Sequence, residues 1–330
     1  MEINTVLPEL AEIYGPSGRE ARVAEKLSSL LREKGLETET DALGNVWGRL
    51  GDAGKKIVFA AHMDSIGLML CRIDKDGYGY VTAVGGVSAQ AIAHAEVLFQ
   101  NGVRALVCVR DDKSGKELKV SDLYLDFGTR SREETEEKVS VGDIAVYAHR
   151  YQRLGGRIAG TYLDDRAGCA VLLSAIDRVK APKNQVYFLF TTQEETGASG
   201  AGPACYGIDG AIGIAVDVTA VDDIPGSNHD GTAVLGKGAA IKILDRSAMS
   251  STAVIQWMTE TAKVRNIPHQ KDILTIGGTD AGAMAGVRKG MNVGGISIPC
   301  RYTHSPLELI DGEDLEACAE LIAALAETEL

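Results

Sequence analysis

No stretch of this chain approaches the roughly 18 consecutive apolar residues needed to span a bilayer, so a membrane-spanning helix is excluded. Positive charge is also short, with 34 Lys and Arg against 46 Asp and Glu and a net charge of −12. That balance argues against a nucleic-acid partner, whose phosphates would be repelled. It suits a chain that concentrates carboxylates in one place. The six cysteines (Cys71, Cys108, Cys169, Cys205, Cys300, Cys318) are scattered and form no Cys-x-x-Cys pair. They are expected to be buried, reduced thiols of a cytoplasmic protein. Met1 to Thr5 carry neither a basic segment nor an apolar one, so no secretory leader is expected. Gly197, Gly200 and Gly202 lack both the Walker Lys-Ser/Thr and the dinucleotide spacing, which removes nucleotide binding. There is no internal repeat.

What the chain does have is alternation. With 330 residues, 45% of them hydrophobic, it is long enough for a large core or for two domains. Leu7, Leu10 and Tyr14 share one helical face, ended by Gly15-Pro16. Ser17 to Glu20 reads as a capping box for a second helix that buries Val23, Leu27, Leu30 and Leu31. Apolar runs at 57–61, 186–190, 211–216 and 293–298 read as buried strands of a largely parallel sheet. A last helix, capped by Asp311, turns Leu315, Cys318, Leu321, Ile322 and Leu325 inward. Between 68 and 158 helical periodicity fades. Short strand-like runs are joined there by turns at Asp74 to Gly77, Gly85-Gly86, Asn101-Gly102 and Lys113 to Gly115, with one short helix capped by Ser131. The expected architecture is α/β: a mixed central sheet flanked by helices, formed by 1–67 and 159–330, with a small β-rich, barrel- or PDZ-like insert at 68–158.

Polar residues follow these apolar runs repeatedly: His62 with Asp64, Glu194 with Glu195, Asp217, and His304. Asp164-Asp165 stands just ahead of a helix. Each has an ordinary reading as a surface pair, a helix cap or a packed loop residue. Open α/β sheets, however, bind ligands beyond the carboxyl ends of their strands, so this pattern gathers imidazoles and carboxylates in one crevice. Asp64, two residues on in an extended segment, points the same way as His62 and can orient its imidazole. Acids crowded in this way repel one another unless cations are present.

In these residues the chain resembles the M42 family of metal-dependent aminopeptidases, the glutamyl aminopeptidase and TET peptidase group. The matching segments include Gly15 to Glu20, Asp41 to Asn45, Ala61 to Gly67, Leu163 to Cys169, Gln193 to Gly197, Ala215 to Thr219, Gly278 to Ala281 and Pro299 to Pro306. The resemblance implies a site for two divalent ions, Zn2+ or Co2+, with Mn2+ also suited to the donors. His62 and Asp217 would hold one ion, Glu195 and His304 the other, and Asp164 would bridge them. Glu194 would be the general base, and Asp64 would orient His62. The resemblance also implies peptide substrates with a free N-terminus. The insert would be a dimerisation domain, and the assembly a homo-oligomer from a dimer up to a tetrahedral dodecamer. Ser65 stands where many members carry Glu.

Three other readings compete. A glycoside hydrolase using Glu194 and Glu195 needs its carboxyls at least about 5 Å apart across a sugar, and it leaves the histidines without a role. A related dinuclear amidohydrolase acting on N-acyl amino acids shares the ligand set. A binding protein without activity would not need every ligand and the base together. Asp280 reads either as a helix cap or as an acid for the substrate amine. His94, His149 and His269 read as structural, and His229 falls on a loop after Asp217.

Overall fold

The structure, a computed structural model, describes residues 2–113, 117–227 and 231–329. Its large sheet is built on the strands Gln185–Thr191, Lys56–His62, Ile212–Ala220 and Asn292–Arg301, which run parallel side by side in that order. Because they are parallel, their carboxyl ends open on one edge. There Thr191 pairs with His62, and Asp217 with Ser297. Antiparallel strands, Val46–Leu50 on one side and Glu308–Asp311 on the other, make the sheet mixed. The buried runs are continuous rather than alternating, since both faces are covered. Helices Ile3–Ala11, Ala21–Glu33, Leu163–Arg178, Thr252–Val264 and Gly312–Ala326 pack on one face. Ala201–Ile208 and Asp280–Ala285 pack on the other.

After His62 the chain leaves this sheet and forms a closed six-stranded barrel whose strands run from Gly67–Ile73 to Ile144–Tyr147, with its own core around Leu68, Leu70, Val97, Val107 and Leu125. Tyr151–Leu154 falls inside the 68–158 segment, yet it pairs with Arg157–Gly160 in the large sheet, so the barrel strands themselves end at Tyr147. Among the described residues, no helix is long and apolar enough to cross a membrane.

Local expectations differ from the structure at several points. Ile212–Ala220 continues past Asp217 instead of stopping there, because its pairing with Asn292–Arg301 runs on to Ala220. Tyr14 lies beyond its helix; its hydroxyl donates to Ile144 O at 2.8 Å and it joins the barrel core. Ser17 does not cap the second helix, which starts at Ala21 after Glu20. Ser131 accepts from Glu134 N as expected, but Glu134 returns its bond to Arg130 N. A second short helix, Ala89–Ile92, appears in the barrel. Cys71 is exposed and Cys108 half-buried, while the other four cysteines are buried, and all six are free. Of the expected turn at Lys113 to Gly115, Ser114 and Gly115 lie outside the described residues, as does His229.

Phe188 is fully buried and stacks on Phe59 of the neighbouring strand. Phe188→Ala is expected to lower the unfolding free energy by about 3–5 kcal/mol, read from the urea midpoint. A loss under about 1 kcal/mol would contradict the packing described.

Candidate metal centre

The open carboxyl edge of the sheet carries a cavity of about 740 Å³, lined at one end by His62, Asp164, Glu194, Glu195, Asp217 and His304. Asp164 sits at the hinge. Its Oδ1 is 3.0 Å from His62 Nε2, and its Oδ2 is 3.2 Å from His304 Nε2. His62 Nε2 lies 3.7 Å from Asp217 Oδ1, and His304 Nε2 lies 3.3 Å from Glu195 Oε2. Donor atoms of His62, Asp164 and Glu195 fall within 4.8 Å of one another, and so do those of His62, Asp165 and Asp217. Two groups of side chains able to hold a metal ion therefore share His62. Asp165 in the second group is the acid that sequence reasoning could not separate from its neighbour.

Each imidazole is fixed from behind. His62 Nδ1 donates to Asp64 O at 3.2 Å, with the Asp64 carboxylate slightly farther at 3.5 Å. His304 Nδ1 donates to Gly86 O at 2.8 Å. With Nδ1 carrying the hydrogen, each Nε2 turns a lone pair toward a carboxylate. Lone pair facing anion is repulsive unless a cation or proton lies between them. Burial works to lower both imidazoles, yet Asp164 hydrogen-bonds to each and holds both above their ordinary range, His304 at about 12. Those hydrogen bonds hold the Asp164 carboxyl below its ordinary range against the effect of burial, while other acids of the site are raised. Burial lifts Asp217 to about 8, opposed by His62 and reinforced by Asp164. Burial likewise drives Glu194 well above the usual carboxylate range, with His62 pulling against it. Glu195 Oε1 and Asp165 Oδ2 are buried without a hydrogen-bond partner. Nitrogen lone pairs, charged oxygens and orphaned oxygens together fit divalent cations.

The residue pair that should carry chemistry sits on a short loop after Gln185–Thr191, and two carboxylates hold three successive amides of that loop. Asp64 Oδ1 accepts from Glu194 N at 3.0 Å, and its Oδ2 from Glu195 N at 3.3 Å. Glu20 Oε1 accepts from Gln193 N at 3.2 Å and from Gly18 N at 2.7 Å. Ser17 Oγ donates to Asp64 Oδ2 at 2.6 Å, which is why it does not cap the helix. Gln193 adopts φ of 56°, the left-handed region that costs a non-glycine residue. The Glu20 bond offsets part of that strain. Asp64 thus braces the Glu194 loop as much as it flanks His62. Ser65 is buried in the same network; its N donates to Gly15 O at 3.1 Å and its O accepts from Ser17 N.

Two further contributions were not legible in the sequence. Glu308, fully buried, accepts from Asp164 N at 3.0 Å and from His304 N at 2.8 Å, tying the bridging acid to the second imidazole. The barrel reaches the site through Gly85-Gly86. A Cβ on Gly86 would come within 2.7 Å of His304 Nδ1, and one on Gly85 within 3.1 Å of Glu195 Cβ, so only glycine admits this close approach. Asp280 is not the cap of its helix. Thr279 caps, accepting from Ala281 N, while Asp280 is buried, accepts from Thr191 Oγ1 at 2.6 Å and adds its charge to the forces raising Glu194. His94, His149 and His269 do not line the cavity.

Comparison with known proteins gives the family. The model of the M42 glutamyl aminopeptidase family matches residues 44–321. The lysyl aminopeptidase of Pyrococcus furiosus is 34% identical, with 98% of this chain and 96% of that protein covered. Among solved structures, an aminopeptidase of the archaeon Desulfurococcus kamchatkensis superposes with a TM-score of 0.94 at 33% identity, covering 98% of this chain and 94% of that one. The TET1 peptidase of Pyrococcus horikoshii, which can assemble into a tetrahedron or a large octahedral shell, gives 0.87 at 29% identity, covering 98% and 99%. The fold and the site define a hydrolase of the aminopeptidase class. The chain belongs to the M42 family of aminopeptidases.

Glu20→Ala should free Gln193 N and let the Glu194 loop drift, lowering kcat about 10- to 100-fold with KM and metal content unchanged. Glu20→Gln keeps the Oε1 acceptor and should retain near-normal kcat. Equal losses in both variants would show that the hydrogen bond to Gln193 is not what matters.

Proposed function

We propose that this aminopeptidase releases N-terminal residues from peptides by way of two divalent cations held by His62, Asp164, Glu195, Asp217 and His304. The observation that carries the reading is the Asp164 carboxylate standing between two imidazoles, 3.0 and 3.2 Å from their Nε2 atoms. His62 and Asp217 would take one ion and Glu195 and His304 the other, with Asp164 shared. Three carboxylates against two divalent charges leave a net positive site, which favours an oxyanion. Mixed imidazole and carboxylate donors suit Zn2+ or Co2+, and also Mn2+. When bound, such ions bring the pKa of a shared water toward neutrality and polarise the scissile carbonyl.

The chain's own groups do the rest. Glu194, on the loop braced by Asp64 and Glu20, takes the proton from the attacking water and returns it to the departing amine. His62 is kept in its ligating tautomer by the Asp64 carbonyl, and His304 by the Gly86 carbonyl. The barrel within 68–158 would provide the subunit contacts; Leu106 and Val141 are 53% and 63% exposed on it, suited to burial in a homo-oligomer. The free cysteines fit a reducing compartment, the cytoplasm.

The test pairs an aminoacyl chromogenic substrate with its N-acetylated counterpart. The protein should cleave only the free amine, and Glu194→Gln should lose about 10²- to 10⁴-fold in kcat while keeping its metal. His62→Ala and His304→Ala should lose metal and activity together. Full activity in Glu194→Gln would refute its role, and preference for the acetylated compound would identify a deacylase instead.

A further inference from the structure

The part of the cavity that the candidate metal ligands do not form is chemically different from them. Its wall is built from Ala198, Val218, Ala220, Leu274, Ile276 and Ala283. Among the described residues, no charged side chain lines the cavity beyond His62, Asp164, Glu194, Glu195, Asp217 and His304.

Of the three hydroxyl residues that line the cavity, Thr303 stands next to His304 in the chain and its Oγ1 is buried without a hydrogen-bond partner, whereas Ser247 and Thr279 are already engaged. Ser247 Oγ donates to Asp245 Oδ1 at 2.7 Å and accepts from Thr279 N at 3.1 Å. Thr279 Oγ1 donates to Asp245 Oδ2 at 2.9 Å and accepts from Ala281 N. Asp245 lies behind the wall, 3% exposed, and its carboxylate also accepts from Ser247 N and Ala248 N. Asp245 itself is not among the residues that line the cavity, so a ligand's ammonium there meets the two engaged hydroxyls instead of the acid. Glycines at 277, 278 and 282 keep the wall low and leave the space open. A Cβ at Gly282 or Gly278 would strike Ser247.

We propose that this wall receives the side chain of the substrate's first residue and selects neutral apolar side chains over charged ones. The proposal rests on the aminopeptidase reading above and names its substrate class. A carboxylate here would be buried without a cation, and an ammonium without an acid, each at the cost of desolvation. Lysine is rejected less strongly than glutamate, because its long stem can carry the charge to the mouth, where Ile276 is 66% exposed. The preference therefore differs from that named for the lysyl relative.

The test uses the metal-loaded, full-length protein in its own assembly. It measures kcat/KM on leucyl, methionyl, lysyl, glutamyl and aspartyl anilides, with N-acetyl-leucine as a further arm. Leucyl and methionyl substrates should exceed lysyl by about 10-fold and the acidic pair by about 100-fold or more. Ile276→Glu places an acid at the mouth and should raise the lysyl-to-leucyl ratio about 10-fold with metal content unchanged. A lysyl or acidic preference in the wild-type protein would overturn the proposal and leave the aminopeptidase reading standing. An unchanged ratio in Ile276→Glu would show that this wall does not meet the first side chain. Turnover of N-acetyl-leucine with none of the anilides would remove the aminopeptidase reading and the proposal together.

Discussion

The site depends on one electrostatic constraint: buried negative charge must be balanced where Asp164 stands between His62 and His304. Burial alone would force Glu194, Asp217 and Glu195 toward their protonated forms. Both Nε2 lone pairs face acids because their Nδ1 hydrogens are given to Asp64 O and Gly86 O. Divalent cations held by these donors would balance that charge. The carboxyl edge of the parallel sheet brings these charges together at one end of the cavity.

A second layer turns charge into geometry. Glu20 and Asp64 between them hold the amides of Gln193, Glu194 and Glu195, while Glu308 holds those of Asp164 and His304. Three buried carboxylates thus position the elements that carry the site's side chains, a rigidity that loops alone would lack. The barrel is part of the same construction. Gly85-Gly86 lies against Glu195 and His304, so a shift of the barrel would be felt at His304 directly.

Much of this was legible in the chain because strand ends announce themselves. A run such as Val186 to Phe190 followed by Gln193-Glu194-Glu195 changes from apolar to acidic within a few residues, and His62 closes a run in the same way. The family resemblance then singled out Asp164 from Asp165, a choice that spacing could not make. What stayed hidden depends on contacts across long separations. Ser17 looked like a cap because its neighbour Glu20 fits that pattern, yet its partner is Asp64, 47 residues away. Asp217 looked like a strand end, but the pairing of its strand carries it further. Gly85-Gly86 reads as a turn, and nothing local says which imidazole it approaches. Glu308 carries no signal at all: one glutamate in a short strand is ordinary until its burial is seen.

The most direct measurement is the metal content of each subunit after saturation with zinc, cobalt or manganese and removal of the excess. The account requires about two ions per subunit for at least one of these metals, released together when Asp164 is replaced by Ala. A folded subunit that stays free of metal under all three conditions would contradict it.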